Sequence, residues 1–150
     1  MMVQVRRATR DDEAVVFDLL RQLMTSATSE SPVNRPAGKD TFRAMMDREE
    51  LGTVFLAEED GAALGLVTLS YPTAIRCGGI YGSIEEFIVA ERARGKGVGG
   101  ALLEAAIARA TEMGCSELIV SRPSDLGYPV YLGHGWHDAG KCLFMRLPRE

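Results

Sequence analysis

The sequence predicts an α/β fold: one domain over residues 1–150, a mixed, mostly antiparallel twisted sheet of about seven strands with helices on both faces. Three observations carry this. Strand-like and helix-like periodicities follow one another in the order β-α-α-β-β-β-α-β-α-β-β. Asp60-Gly61 lies between two apolar runs, a hairpin signal that makes the middle of the sheet antiparallel. A strand pattern ending at Val89 then runs through a glycine-rich loop into a helix.

Taken in order, Val3 to Ala8 is a short β-rich run, and Thr9 with Asp12 forms a box-like N-cap. Val16, Leu19, Leu20, Leu23 and Met24 recur at helical spacing, so a first helix is expected from Arg10 to Ala27. Ser29 to Lys39 contains Pro32, Pro36 and Gly38 and reads as a loop. A second helix is expected over Asp40 to Glu50, with Phe42, Met45 and Met46 inward. Thr53 to Glu58 and Ala62 to Tyr71 form the hairpin, and Ile80 to Val89 is the next strand. Val98, Leu102, Ala106 and Met113 share a stripe of a helix from Val98 to Met113, which Gly114 closes. Glu117 to Ser121 reads as a buried strand, and Asp125 to Leu132 as a short helix broken by Pro129. Trp136 to Ala139 and Cys142 to Leu147 finish the chain as a second hairpin around Gly140.

Composition narrows the function. A hydrophobic fraction of 46% with 25% charged residues is that of a soluble globular protein. No apolar run approaches the roughly 20 residues of a membrane span, and the N-terminus lacks the apolar core of a signal peptide. Cys77, Cys115 and Cys142 are widely spaced and form no CxxC pair, which fits reduced thiols and a cytoplasmic protein. A net charge of −4 without a basic run argues against nucleic acid as a partner. His134, His137 and Cys142 stand beside a glycine turn, a setting that is usually structural, so no metal site is expected.

The most informative stretch is Arg94-Gly95-Lys96-Gly97-Val98-Gly99-Gly100. A helix start offers unpaired N–H groups and the positive end of the dipole, so an anion is its natural guest. Glycine lets those amides approach a phosphate closely, and Arg94 and Lys96 add charge. The stretch therefore reads as a pyrophosphate cradle. Gly95-x-Gly97-x-x-Gly100 also satisfies the dinucleotide fingerprint, but that motif normally opens its sheet and is followed about 20 positions on by an acidic residue. Here Ser121 and Arg122 occupy that place. No GxxxxGK[ST] is present, which removes the P-loop.

With its flanks, the segment from Glu85 to Gly99 resembles the GNAT superfamily of acyl-CoA-dependent N-acetyltransferases. Arg94, Gly97 and Gly99 fill the family's acyl-CoA signature of Arg or Gln, two residues, Gly, one residue, then Gly or Ala. Tyr131-Leu132-Gly133-His134-Gly135-Trp136 resembles its Tyr-x-x-x-Gly-Phe signature, with Trp136 for the phenylalanine. Two motifs in the right order, over nearly the whole chain, identify it at the level of the fold. Many members carry an asparagine after the strand that here ends at Ser121; Ser121, Ser124 and Asp125 stand there instead.

The resemblance implies acetyl-CoA as co-substrate, with pantetheine against backbone groups of Phe87, Ile88 and Val89 and pyrophosphate on Arg94, Gly95, Lys96, Gly97, Val98, Gly99 and Gly100. It implies a transferase moving acetyl to a primary amine of a small molecule or protein, by direct attack. Glu85 and Glu86 are the candidate bases. Strand alternation would point them to opposite faces, so that one of them looks into the site, and Glu85 is preferred. Tyr131 is the candidate acid for the leaving thiolate, with Tyr128 as its neighbouring substitute. The acceptor would meet Ala27 to Lys39, the second helix and the Tyr71 to Tyr81 connection, where Tyr71, Tyr81 and the glutamates suit a cation and Arg35 and Arg76 an acidic end. A homodimer is compatible with all of this. The alternative is a CoA-binding module on the same fold without catalysis.

Overall fold

A computed structural model describes residues 2–26 and 36–148; expectations for Ala27, for most of the loop from Ser29 and for Arg35 lie outside the described residues. The sheet grows from the Asp60-Gly61 hairpin. Both residues take positive φ, 51° and 78°, the conformation a two-residue turn needs to match the twist of its strands. The turn joins β2 (Gly52–Glu59) to β3 (Ala62–Ser70), which pair antiparallel. β1 (Gln4–Arg7) pairs with β2, and β6 (Gly82–Val89) with β3, both antiparallel. Two short strands, β4 (Thr73–Ala74) and β5 (Gly79–Ile80), form a separate ribbon before β6. β7 (Leu118–Ile119) closes a five-stranded sheet of order β1-β2-β3-β6-β7 and pairs in parallel with Gly82 and Ser83 alone. Residues 84–89 of β6 run on past that pairing, so β6 keeps an open edge there.

α1 (Glu13–Ser26) packs on β6 and β3, while α3 (Val98–Met113) packs on β3 and β2 from the other face. Of the expected stripe, Val98, Leu102 and Ala106 are buried on α3 and Met113 is half-buried, while Ala110 continues the buried run. Gly65 makes close packing of α3 possible, since a Cβ there would lie 3.2 Å from Leu102 Cδ1 and 2.7 Å from the Ile88 carbonyl. α2 (Pro36–Asp47) is held to α1 by Phe42, which meets Phe17 edge-on at 6.3 Å. No helix among the described residues is long and apolar enough to cross a membrane.

Several expectations change. The second helix begins at Pro36 rather than Asp40 and ends at Asp47, because proline fits the first turn of a helix, where its missing N–H is not needed. Pro129 acts likewise: it lies in the first turn of α4 (Tyr128–Leu132) and starts that helix instead of breaking it. The strand expected over Glu117 to Ser121 shrinks to Leu118–Ile119. The C-terminal hairpin is not formed, and residues 133–148 contain no strand. Asp138 accepts the Gly140 N–H at 2.9 Å and the Tyr128 hydroxyl at 3.1 Å, a local turn that redirects the chain where the hairpin would have closed. Phe144 is covered instead by the Arg122 guanidinium, 4.2 Å from its ring centre. Seven strands are present among the described residues, five in the main sheet and two in the β4–β5 ribbon, which lies within the Tyr71 to Tyr81 connection.

Candidate active site

The glycine loop is positioned by the end of β6. After Val89 the chain makes a single 3-10 turn at Glu91–Ala93, and Gly95 and Gly97 both take φ of +80°. A Cβ on either would meet nothing within 4 Å, so these glycines serve backbone conformation and leave the space before the helix clear. The Ala101 N–H bonds the Gly97 carbonyl at 3.1 Å. The amides of Val98, Gly99 and Gly100 bond no group among the described residues and form the free donor end of α3.

Gly99 and Gly100 are glycines for a different reason. A Cβ on Gly99 would lie 3.2 Å from Phe87 Cζ and 3.5 Å from Val130 Cγ1; one on Gly100 would lie 2.7 Å from His134 Nε2. The first turn of α3 is thus drawn close against β6 and α4, and a cavity of about 930 Å³ opens where they diverge. Phe87, Ile88, Val89, Arg94, Gly95, Gly97, Val98, Gly99 and Gly100 all line it, and Lys96 does not. Its opposite wall is Ser124 to Gly127 with Val130 and His134, and Glu104 on α3; of these, Ser124 and Asp125 stand in the place of the family's asparagine, and nothing in the sequence marks Leu126, Val130, His134 or Glu104 as cavity lining. Ser124 fixes that wall by accepting the Gly127 N–H at 3.0 Å.

Tyr131 stands where β6, the 124–127 loop and α4 meet. It is 3% exposed, edge-on to Phe87 at 5.3 Å and to Trp136 at 4.9 Å. Its hydroxyl has no hydrogen-bond partner among the described residues, and burial pushes the phenol well above its ordinary value. A phenol so placed keeps its proton, and its O–H is available to donate. Tyr128, by contrast, is committed to Asp138.

Glu85 and Glu86 do not alternate. The pairing of β3 with β6 shifts between Thr68 and Leu69, opposite Glu86 and Ile84, leaving Glu85 as the extra residue of a β-bulge. Thr68 and Ser70 share one face of β3, and they donate to Glu86 and Glu85 respectively, Ser70 Oγ at 2.6 Å. Both carboxylates therefore lie on the same face, opposite that of Phe87. Glu86 is half-buried, and the Thr68 hydroxyl also accepts its backbone N–H at 3.0 Å. Desolvation raises its carboxyl above the usual range, against the Thr68 hydrogen bond and with the help of the Glu85 charge. Glu85 is exposed. Neither carboxylate has a cationic partner among the described residues, whereas Asp12, Glu13, Asp47 and Glu117 each pair with an arginine.

Other expected contacts are engaged elsewhere. Tyr71 is buried, with its hydroxyl 2.6 Å from Thr53 Oγ1, and belongs to the core. Arg76 binds Glu117 and covers the Tyr81 ring at 4.9 Å, so both side chains brace the β4–β5 ribbon.

Residues 16–131 match the family model described as the Acetyltransferase (GNAT) family. Solved structures agree on the fold. An integron cassette protein from the mobile metagenome of Cole Harbour salt marsh superposes with a TM-score of 0.84 at 26% identity, covering 98% of this chain and 91% of that one. Glucosamine-6-phosphate N-acetyltransferase from Arabidopsis thaliana gives 0.80 at 19% identity over 99% and 100%. A predicted acetyltransferase from Clostridium acetobutylicum, solved with acetyl-CoA, gives 0.80 at 22% over 97% and 96%. No curated protein sequence matches at comparable significance. With the family model spanning most of the sequence and the fold shared from end to end, this chain belongs to the GNAT family and is an acetyltransferase.

Proposed function

We propose that the protein transfers acetyl from acetyl-CoA to a primary amine of a small molecule or protein by direct attack, with Glu86 as base and Tyr131 as proton donor. The observation that carries this is the cavity itself. Free amides of Val98, Gly99 and Gly100 open onto it, glycines with no Cβ line it, and the open edge of β6 borders it. Those amides would hold a diphosphate without help from a particular side chain, and Arg94 would add charge. Phe87, Ile88 and Val89 would present backbone groups to an extended pantetheine arm. Bound there, acetyl-CoA supplies an acyl group already activated as a thioester.

The chain's first task is to free the amine of its proton. An alkylamine of pKa near 10.4 is neutral about once in 10³ at pH 7, a cost of roughly 4–5 kcal/mol. Glu86 meets this need with a carboxylate that burial has made more basic, held by Thr68 and without a competing cation. It takes the proton directly or through a water. Glu85, exposed beside it, contributes negative potential rather than proton transfer. This assignment replaces the preference for Glu85 that the sequence suggested.

The second task is to support the leaving thiolate. A phenol of pKa about 10 is already a weaker acid than a thiol near 8.5, and burial widens the gap. Tyr131 therefore donates to the sulfur only as the C–S bond breaks, stabilising the developing thiolate although full transfer to it is uphill, for about 10²–10⁴-fold in rate at most. Tyr131 packs on Phe87, while Glu86 lies on the other face of β6. Acid and base flank the open strand edge from opposite sides, as a reaction between two substrates entering from opposite sides requires. Release of free thiol from acetyl-CoA across a panel of amines tests this reading. Turnover with at least one amine is expected; coenzyme A binding without turnover on any amine would leave a binding module instead.

A further inference from the structure

We propose that Ser124 and Gly127 position the Tyr131 hydroxyl for proton donation, Ser124 by holding the Gly127 N–H and Gly127 by having no Cβ. The inference deepens the reading of Tyr131 as proton donor and rests on it. The Tyr131 hydroxyl has no hydrogen-bond partner among the described residues, so its direction is set by its ring and its backbone. The ring is edge-on to Phe87 and to Trp136, with centroids 5.3 Å and 4.9 Å away. Its third neighbour is Gly127.

A run of hydrogen bonds leads from Ser124 to Tyr131. Ser124 Oγ accepts the Gly127 N–H at 3.0 Å, and the Ser124 carbonyl accepts the Tyr128 N–H at 2.8 Å. The Gly127 carbonyl in turn accepts the N–H of Val130 at 2.9 Å and that of Tyr131 at 3.1 Å. The backbone of Tyr131 therefore hangs from Gly127, and Gly127 from a hydroxyl oxygen. Ser124 is itself exposed, so truncating it removes this bond with little loss of packing.

Gly127 is a glycine for space and not for backbone. Its φ of −78° and ψ of −31° lie in the right-handed helical region, which any residue adopts. A Cβ there would lie 3.1 Å from Ser124 Oγ and 3.4 Å from both Phe87 Cδ2 and Tyr131 Cε2. Cε2 is bonded to the ring carbon that carries the hydroxyl. A methyl group at position 127 would crowd Ser124 off its bond and fill the space beside that edge of the tyrosine. One residue thus fixes the ring by a bond and the other by an absence. A serine that served coenzyme A directly would behave differently: its loss would weaken coenzyme A binding and would be felt whether or not Tyr131 carried a hydroxyl.

The test is a double-mutant cycle on kcat, read by thiol release from acetyl-CoA, with coenzyme A affinity measured by calorimetry. Ser124→Ala is expected to lower kcat about 5–20-fold through misplacement of the donor, and to leave coenzyme A affinity within about twofold. In Tyr131→Phe, which has no proton to donate, the same substitution is expected to change kcat by less than about twofold. Ser124→Thr keeps the accepting oxygen and is expected to restore kcat. Gly127→Ala, which the backbone tolerates, is expected to repeat the loss and its disappearance in Tyr131→Phe. In the protein without ligand, the Tyr131 ring carbon resonances should shift in Ser124→Ala and return in Ser124→Thr. An equal loss of kcat in both backgrounds, an unchanged kcat in Ser124→Ala, or unmoved Tyr131 resonances overturns the proposal, and a loss in Tyr131→Phe alone then leaves the donor standing. Unchanged turnover in Tyr131→Phe, or no turnover with any amine, overturns the donor and the proposal with it.

Discussion

On one side of β6 the segment from Arg94 to Gly100 offers backbone to the proposed co-substrate; on the other the bulge at Glu85 and Glu86 offers side chains to the proposed acceptor. The first depends on what is missing, Cβ atoms at positions 95, 97, 99 and 100, and on helix-end amides that any sequence would supply in that conformation. The second depends on two carboxylates that differ in burial, one residue apart, the more buried of them being the proposed base. A cradle of this kind suits a co-substrate shared across a family. A bulge of this kind can be re-tuned for each acceptor without disturbing the cradle.

The sharpest way to break this comparison is a charge in the cradle. Gly97→Glu is expected to weaken coenzyme A binding at least about 100-fold, with bulk and negative charge set against the diphosphate. Gly61→Glu is the control, because Gly61 also has positive φ, 78°, and open surroundings. Both variants should lose about 1–2 kcal/mol of stability to the left-handed backbone. Equal losses of affinity by calorimetry would show that strain, not the site, is responsible.

Glu86→Gln follows, with an expected loss of about 10²–10³ in kcat/KM for the amine and little change in KM for acetyl-CoA. For the wild type, kcat/KM should fall with acid through a carboxyl pKa above the usual range, since only the ionised Glu86 accepts a proton. The same shift has a stability sign. A carboxyl raised in the folded state is stabilising when protonated, and that contribution is lost as pH rises from its unfolded value through its raised one. Glu86→Gln should therefore raise Tm at neutral pH, with the gain vanishing in acid. Asp12 runs the other way: its hydrogen bonds to Arg6 hold it down at about 2, so its contribution is present above the unfolded carboxyl range and disappears as pH falls towards 2. Asp12→Asn should then lower Tm at neutral pH and not in strong acid.

Smaller effects sharpen the roles. Tyr131→Phe is expected to cost about 10–100-fold in kcat while leaving coenzyme A affinity near normal; unchanged turnover would remove the hydroxyl from the chemistry. Glu85→Gln should cost up to about fivefold, the worth of one exposed charge near a cationic substrate in water. A loss as large as that of Glu86→Gln would mean the bulge works as a pair.

Features set by local rules were legible in the sequence. The Asp60-Gly61 turn and the helix from Val98 to Met113 each follow from a few adjacent residues and appear where expected, and the glycine stretch lines a cavity. What escaped depends on distant partners. The bulge that brings Glu85 and Glu86 to one face is a matter of register with Thr68, some eighteen positions earlier, and no alternation rule can see it. The far wall of the cavity comes from a loop and a five-residue helix whose composition is ordinary; Gly127 and His134 gain meaning only beside Phe87 and Gly100. Cys142 to Leu147 has a strand's composition and no strand, because composition alone does not supply a pairing partner. Lys96 shows the opposite error, a cation within the glycine stretch that does not line the cavity.

The most direct test is an amide NMR titration with coenzyme A. The account predicts that the Val98, Gly99 and Gly100 N–H resonances move together and saturate at one equivalent, while those of the Asp60-Gly61 turn stay still. Saturable binding that leaves the three amides unmoved, or no binding at all, would contradict it.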